Sequence, residues 1–270
     1  MRLSNTCIRT NKGEGFMQAN NKTVVKSMQI LTLFIKHPKL TFTEMMEYSG
    51  VPKTSLHRMV GSLEEMGFLT KDAQGYYSLG LLFLQFGQLV ANRLDIRNIA
   101  KPVMETLRDE VEEAVNLIVR DGNEAMYIEK VDTLHPVRLY TSIGRRSPLY
   151  AGACSRIILA HLPEKEQEEY ITQTELAPIG IGTITDQKKL RNVLKEAKEK
   201  GYTISTSELE NFTTSVSAPI VNHQNEVVAG ISVAGIEARF QGDRLPFIIQ
   251  KVTEAASLIS EKLGYQGSLK

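Results

Sequence analysis

The sequence predicts an α+β protein with an N-terminal winged helix-turn-helix domain, a linker helix and a larger C-terminal domain built on an antiparallel sheet. Three observations predict this fold: a helix–turn–helix–hairpin pattern near the N-terminus, an almost wholly apolar stretch after it, and alternating helix and strand patterns beyond. The predicted boundaries are 20–79 for the first domain, 80–95 for the linker helix and 96–265 for the last domain.

The helix-turn-helix pattern starts at a possible capping box. Thr41 and Glu44 have the capping-box spacing that favours a helix start, and Gly50 supplies a tight turn after that helix. Pro52 suits the start of the second helix, because its missing N–H would be unpaired there. This helix is predicted to run to about Met66, with apolar residues at i, i+3, i+4 and i+7. They are Leu56, Met59, Val60 and Leu63.

The second helix begins with polar and cationic side chains that can reach base edges or phosphates. Two short strand patterns, Gly67–Lys71 and Tyr76–Leu79, then flank a turn at Asp72–Gly75 and predict a wing. A plain helical hairpin has the same spacing, but the cations and the hairpin together favour DNA binding. The residues predicted to contact DNA are Thr43, Lys53, Thr54, Ser55, His57, Arg58 and Lys71.

Two segments precede this pattern. Lys22 to Lys36 predicts a helix that completes a three-helix core, and its expected apolar side consists of Val25, Met28, Leu31, Leu33, Phe34 and Ile35. Residues 1–16 are expected to be disordered or a mis-annotated extension, with Met17 as the natural start. The codons for residues 12–15 could spell a purine-rich ribosome-binding sequence, and the nucleotide sequence tests this hypothesis.

Composition limits the class of protein. The chain has 270 residues, 42% of them hydrophobic and 23% charged, which is typical of globular domains. Residues 17–78 carry 7 Lys and Arg against 5 Asp and Glu, whereas residues 79–270 carry 22 against 25. A mildly basic front part therefore precedes an acidic remainder, as expected for a DNA-reading module joined to a different module. No membrane span, signal peptide, metal motif or cofactor motif is evident, and Cys7 and Cys154 suit a reducing cytoplasm.

The apolar stretch from residue 79 to residue 94 is interpreted as a helix for dimerisation and for signal passing between domains. It carries one charge, so a solvated linker is unfavourable. An ordinary buried helix of the second domain is the alternative.

The last domain alternates helix and strand patterns. Asp121-Gly122-Asn123 between two apolar runs is a hairpin turn, and an antiparallel sheet with helices on its faces is common among proteins that bind small ligands. Helices are predicted at 97–112, 151–161, 186–200 and 247–263, and strands at 116–120, 125–131, 138–141, 214–221 and 227–234.

Two other classes of protein, an enzyme and an interaction adaptor, are alternatives to a DNA-binding protein. An enzyme could use Cys154 at a helix start as an activated thiolate, but His161 lies seven residues on and no third group orients it. Ser155 lacks the G-x-S-x-G elbow of serine hydrolases. A protein-interaction adaptor that uses the winged helix without DNA is the second alternative.

Several motifs together resemble one family. Residues 51–69, followed by Tyr77-Ser78-Leu79-Gly80, Asp121-Gly122 and the run from Gly144 to Leu149, are similar to the IclR family of bacterial transcriptional regulators, and so are the runs at 201–202, 218–219 and 231–235. The resemblance covers about residues 22–264. It implies a winged N-terminal domain, a linker helix and a GAF-like effector-binding domain. It also implies a homo-oligomer, either a dimer or a dimer of dimers, and repression of an operon in response to a small organic acid.

The resemblance also implies where the effector binds. In the family the pocket lies beside a helix start whose N–H groups can hold a carboxylate, and the facing wall carries an acid and several Ser or Cys residues. Here Ser205 replaces the acid and Ala234 replaces one Ser, so a two- or three-carbon oxo-acid cannot be assumed. The predicted effector residues are Ala153, Cys154, Ser155, Ser205, Ser215, Ser232 and Ala234. Each serine could also be a plain strand residue, and Arg145-Arg146 could be surface charge or could neutralise a ligand.

The DNA partner is expected to be a double-stranded, pseudo-palindromic operator. Two recognition helices in one dimer would read half-sites about one helical turn apart, or a multiple of that distance.

Overall fold

The computed structural model describes residues 21–92, 95–136, 139 and 141–267. The chain divides into two compact units, Met1–Asn92 and Arg93–Lys270. The expected extension at residues 1–16 lies outside the described residues.

The first unit contains a three-helix core, a two-stranded wing and a further helix. Its elements are α1 (Lys22–Leu33), α2 (Phe42–Ser49), α3 (Lys53–Glu65), β1 (Leu69–Lys71), β2 (Tyr77–Leu79) and α4 (Leu82–Asn92). The strands pair antiparallel, with Leu69 opposite Leu79. The core consists of Ile30, Leu31, Phe34, Leu40, Met45, Val51, Leu56, Val60, Leu63, Leu69 and Tyr77.

Local chemistry explains the ends of α2 and the start of α3. The capping box is present: the Thr41 side chain accepts a hydrogen bond from the Glu44 backbone N–H, and the Glu44 carboxylate accepts one from the Thr41 N–H at 2.7 Å. Gly50 ends α2 in the left-handed conformation, at φ 63°, which a residue with a Cβ adopts only at a cost. Pro52 lies one position earlier than predicted, at the N-cap of α3.

The predicted apolar side of α1 was partly wrong. Val25 and Met28 are exposed, and so is Ile35, which lies beyond the helix end at Leu33. The predicted Leu31 and Phe34 are in the core and Leu33 packs against it, whereas the buried Ile30 was not predicted. A short helix buries only a narrow face, so neighbouring apolar residues cannot all point inward.

The linker helix is shorter than expected, because α4 begins at Leu82. The rings of Phe83 and Phe86 contact Phe68, with centroids 5.5 and 6.1 Å away. Leu84 and Leu89 are 70% and 57% exposed in this single chain. These side chains leave apolar surface of α4 uncovered in the single chain.

The second unit is a six-stranded antiparallel sheet with helices on both faces. Its elements are α5 (Asp95–Val111), β3 (Ala114–Asp121), β4 (Glu124–Val131), β5 (Arg146–Pro148), α6 (Ala153–Ala160), α7 (Glu164–Gln173), α8 (Gln187–Lys200), β6 (Thr203–Thr206), β7 (Thr213–Val221), β8 (Val227–Ile236) and α9 (Arg244–Lys262). The strand order is β5-β4-β3-β8-β7-β6.

The sheet separates two cores. One face packs on α5 and α9 through side chains such as Val115, Val216 and Val233. The other face packs on α6, which is buried along its whole length, and through α6 on α8. Because side chains alternate along a strand, the intervening residues of β3, β7 and β8 point toward α6. This second face positions the site described below.

Three elements were not anticipated: β5, α7 and β6. β5 and β6 have only three and four residues, which is too short for a pattern of alternation, and α7 is largely charged. Of the predicted strand at 138–141, residues 138 and 140 lie outside those described, and Leu139 and Thr141 are not in a strand. The hairpin around Gly122 and the helix from Asp186 to Gly201 are confirmed.

Candidate functional site

The first unit presents one polar and cationic surface at the start of α3. Leu56, Val60 and Leu63 hold the helix in the core, so the opposite side faces solvent. The exposed side carries Lys53, Thr54, Ser55, His57 and Arg58, all of the residues predicted there. Sequence periodicity alone therefore identified which face of this helix is free.

The backbone at this helix start is also open. Among the described residues, no side chain caps the first amides of α3. Uncapped N–H groups at a helix start, together with the helix dipole, favour a phosphate oxygen. Thr43 is exposed in the first turn of α2, while the His57 ring contacts Phe42, with centroids 6.0 Å apart.

The wing carries one predicted cation and one contact that sequence reasoning missed. Lys71 is exposed on β1, and its Nζ lies 5.1 Å from the centre of the Tyr77 ring. Lys39 donates to Asp72 at 3.0 Å and so ties the wing turn to the segment before α2. Tyr76, at the tip, is 42% exposed and was not predicted as a contact.

The second unit contains a small cavity between the sheet and the start of α6. Its volume is about 50 Å³, which is room for roughly four water-sized groups. Six of the seven predicted effector residues line it: Ala153, Cys154, Ser205, Ser215, Ser232 and Ala234. Arg145, for which a ligand-neutralising role was left open, also lines it, and the lining residues that were not predicted include Asn116, Tyr127, Glu208, Leu209 and Glu210.

The seventh predicted residue, Ser155, does not line the cavity. It is fully buried, and its hydroxyl lies 2.7 Å from that of Ser147 on β5. Successive residues of a helix point about 100° apart, so Ser155 faces away from the side on which Cys154 meets the sheet.

The backbone amides at the start of α6 already have partners. The Gly152 N–H donates to a carboxylate oxygen of Glu208, and the Ala153 N–H donates to the Ser205 hydroxyl, both at 2.9 Å. The Ser205 and Ser215 hydroxyls are 2.9 Å apart. Gly152 has φ 82°, and a Cβ added there would lie 2.7 Å from a methyl carbon of Leu209.

A buried ion pair holds the Glu208 carboxylate in this position. Arg156 is 1% exposed and Glu208 is 5% exposed, and the Arg156 Nη1 lies 2.6 Å from both carboxylate oxygens. Arg156 also donates to the backbone carbonyl of Ile204 and to the Thr203 hydroxyl. Ser205 stands where the family carries an acid, but Glu208, three residues later, brings a carboxylate to the same cavity. The resemblance did not indicate this residue.

A second ion pair lies at the same cavity. Arg145 Nη1 and Glu210 Oε1 are 2.6 Å apart, and both side chains are partly exposed. The Arg145 guanidinium lies 5.9 Å from the centre of the Tyr127 ring, and burial raises the pKa of the Tyr127 hydroxyl. Tyr127 therefore remains a neutral hydrogen-bonding group at physiological pH.

Cys154 does not have the surroundings of a catalytic thiol. Burial raises its pKa to about 12, so the thiol stays protonated at neutral pH, whereas catalysis requires a thiolate. The His161 Nδ1 lies 2.8 Å from the Ile157 carbonyl oxygen of its own helix. Desolvation lowers the pKa of His161, and no contact joins this ring to Cys154 among the described residues.

The described part of the chain shows neither a metal-binding cluster nor a membrane-spanning helix. It holds no group of three or more His, Cys, Asp and Glu side chains arranged to bind a metal ion. Within the same residues, none of the helices has the length and apolar character needed to cross a membrane.

Comparison with known proteins decides the family. Residues 23–73 match the IclR helix-turn-helix domain, and residues 88–261 match the C-terminal domain of the bacterial transcriptional regulator IclR. The chain belongs to the IclR family. It is therefore a DNA-binding transcriptional regulator with the α+β fold that the sequence predicted.

Curated IclR relatives match along almost their whole length. The HTH-type transcriptional regulator KipR of Bacillus subtilis is 63% identical over 249 residues, which are 92% of this chain and 100% of KipR. XynR of Escherichia coli is 28% identical, over 90% of this chain and 98% of XynR. Both relatives are named as transcriptional regulators.

Solved IclR structures share the fold. The IclR of Thermotoga maritima has a TM-score of 0.76 at 31% identity, covering 90% of this chain and 99% of that protein. An IclR homologue from Microbacterium hydrocarbonoxydans, solved in complex with 4-hydroxybenzoate, has a TM-score of 0.80 at 25% identity, with 90% and 99% covered.

Proposed function

We propose that this protein is a cytoplasmic homo-oligomeric repressor that binds a pseudo-palindromic operator and responds to a small organic effector. The observation that carries the DNA-binding part is the start of α3, where Lys53, Arg58 and their exposed polar neighbours surround uncapped backbone amides. Arg, Lys and hydroxyl side chains on such a helix read base edges and hold phosphates. Lys71 on the wing adds a further phosphate contact.

The effector binds in the cavity beneath the start of α6. A volume of about 50 Å³ admits a molecule of a few non-hydrogen atoms without rearrangement, and a larger ligand requires the walls to part. The complex of a relative with 4-hydroxybenzoate supports an aromatic or carboxylic effector class as one to screen. A carboxylate at the start of α6 would meet amides that already bind Glu208 and Ser205.

The two activities are coupled through α4, which leads along the chain from the winged unit into the second unit. Its exposed Leu84 and Leu89 provide the apolar surface for a second copy. An effector that favours one arrangement of the oligomer changes operator affinity by its coupling free energy, about 1–3 kcal/mol, or roughly 5–150-fold.

Fluorescence anisotropy tests this function. The purified chain is titrated into duplex from its own upstream intergenic region and into a scrambled duplex, at two salt concentrations. We expect tighter binding to the upstream duplex, and a steep loss of affinity as salt rises, because binding to phosphates releases counterions. Equal and weak binding to both duplexes, with and without a library of small metabolites, would favour the protein-interaction adaptor instead.

A further inference from the structure

Asn116 is a buried polar residue of the cavity floor whose side chain forms no hydrogen bond with the described residues. It is 3% exposed, lies on β3 and lines the cavity. Its carboxamide forms no hydrogen bond with any residue that the structure describes. Among the described residues, the one fully buried side-chain polar atom without a partner is Arg244 Nε, so the polar atoms of Asn116 are accessible from the cavity. The carboxamide can therefore hydrogen-bond a molecule that enters this space.

The register of the sheet places hydroxyl groups beside Asn116. It pairs with Ser232 on β8, and Ser232 pairs in turn with Ser217 on β7. The Ser217 hydroxyl is already used, since it donates to the Ile231 carbonyl oxygen at 2.7 Å, and Ser217 does not line the cavity. Asn116 and Ser232 are thus adjacent polar groups on the floor, and both face the open volume.

The two arginines at the opposite wall are both paired with glutamates. The Glu208 carboxylate sits at the Gly152 amide and is neutralised by the buried Arg156. A ligand carboxylate in this small space would gain no cation of its own, because Arg145 is paired with Glu210. Burying a charge without a partner is costly.

We propose that Asn116 is an effector-binding residue and that the group it holds is uncharged, such as an amide, carbonyl or hydroxyl. A carboxamide both donates and accepts, so it matches a ligand group that offers an acceptor, a donor or both, while Ser232 adds a second contact. This inference rests on the proposed function, because it identifies the ligand chemistry of the same cavity. It places the recognition of the effector on the sheet and not on the helix start.

Thermal unfolding with matched pairs of small probes tests the proposal. The full-length protein is titrated with acetamide against acetate, and with glycolamide against glycolate, at tens of millimolar and constant ionic strength. We expect the amides to raise the melting temperature by a few degrees and the acids of the same shape to raise it less, because only a ligand that binds the native state stabilises it. An acid that stabilises more than its amide overturns the proposal, and so does the lack of any shift with both amides.

The substitution Asn116→Leu separates binding from structure, because Leu has the same number and branching of side-chain atoms. The free variant should melt within about 5 °C of the wild type, because Asn116 makes no hydrogen bond within the described fold that the substitution could break. It should also lose the amide-induced shift, with affinity weakened at least tenfold. A lower melting temperature together with an unchanged shift overturns the proposal.

The substitution Ser217→Ala is the matched control, because this neighbouring buried hydroxyl is satisfied within the sheet. It should lower the melting temperature and leave the amide-induced shift unchanged. Fluorescence anisotropy on operator DNA with the same preparations distinguishes failure of the Asn116 proposal from failure of the proposed regulator function. Specific DNA binding without any amide effect on unfolding would overturn the role of Asn116 and leave the regulator assignment standing. Amide binding without specific DNA binding would do the reverse.

Discussion

The ion pair between Arg156 and Glu208 should dominate the stability of the second unit when one partner is removed. At an effective dielectric constant of about 20, two unit charges 2.6 Å apart attract by about 6 kcal/mol. Desolvation of two nearly inaccessible charges, which costs several kcal/mol each, offsets that gain. The intact pair therefore contributes little net free energy of unfolding, whereas Arg156→Leu leaves the Glu208 carboxylate buried and uncompensated.

We expect Arg156→Leu to lower the free energy of unfolding by about 3–5 kcal/mol. For a unit of this size, each kcal/mol corresponds to about 2–4 °C, so the melting temperature should fall by roughly 6–20 °C. Adding Glu208→Gln should recover most of the loss, because the amide oxygen still accepts the Gly152 N–H and no charge remains buried. Differential scanning calorimetry is the appropriate assay, since two compact units can unfold in separate transitions.

Arg191→Leu provides the control. Arg191 pairs with Glu168 on the surface, where the side chains are 37% and 53% exposed. Solvent screening limits such a pair to about 1 kcal/mol or less. A loss below 1 kcal/mol for Arg156→Leu, or no recovery in the double variant, would refute the conclusion that this pair is shielded from solvent.

Four further outcomes are expected. Arg58→Ala should weaken operator binding about tenfold or more in anisotropy, because it removes a cation from the exposed face of α3. Ser215→Phe should fill the cavity and abolish effector response in the same assay while DNA binding persists. Leu84→Glu should reduce the molar mass in light scattering, since it places a charge on the exposed face of α4. The stability due to the Cys154 thiol is fully present below about pH 8.5, where the unfolded thiol titrates, and should be lost as the pH rises toward the folded pKa of about 12, which urea titrations from pH 8 to pH 11 can follow.

Each of these outcomes has a matched control. Lys188→Ala removes an equal charge from the second unit and should leave DNA affinity unchanged; an equal loss would mean that only net charge matters. Ser215→Ala should keep the response, and a lost response would point to the hydroxyl and not to filled space. Gln85→Glu adds the same charge to α4 outside the Leu84 position, so dissociation by both variants would contradict a defined interface. Cys154→Ser should flatten the alkaline decline, and an unchanged decline would assign it to buried tyrosines.

Local signals in the sequence were sufficient for most of the fold. The capping box of Thr41 and Glu44, the left-handed Gly50 and the turn at Gly122 each depend on residues within four positions of one another. These signals do not depend on contacts between distant parts of the chain. The helices and hairpins that begin or end at them were therefore predicted well. The polar face of α3 was predicted for the same reason, because helical periodicity is local.

The composition of the cavity was predicted less completely, because its contacts join distant parts of the chain. Arg156 and Glu208 are 52 residues apart, and no spacing rule indicates that they meet. Asn116 lies on a strand whose serine neighbour is 116 residues later in the chain, so only the sheet register brings them together. Ser155 was placed at the cavity although its direction depends on the rotation of α6 about its axis, which the sequence of that buried helix does not specify.

Because of the sheet register, the cavity exists only when the sheet of the second unit is completely folded. Asn116 of β3 and Ser232 and Ala234 of β8 line the cavity, together with Ser215 of β7 and Ser205 of β6, and consecutive strand pairs align these residues. A slip of one residue in any strand would turn its polar side chain into the opposite, apolar core. A partly assembled sheet therefore has no binding site, and these non-local pairings form slowly. A ligand that needs the complete cavity would bind only the folded domain, and its binding would protect that domain from unfolding and proteolysis.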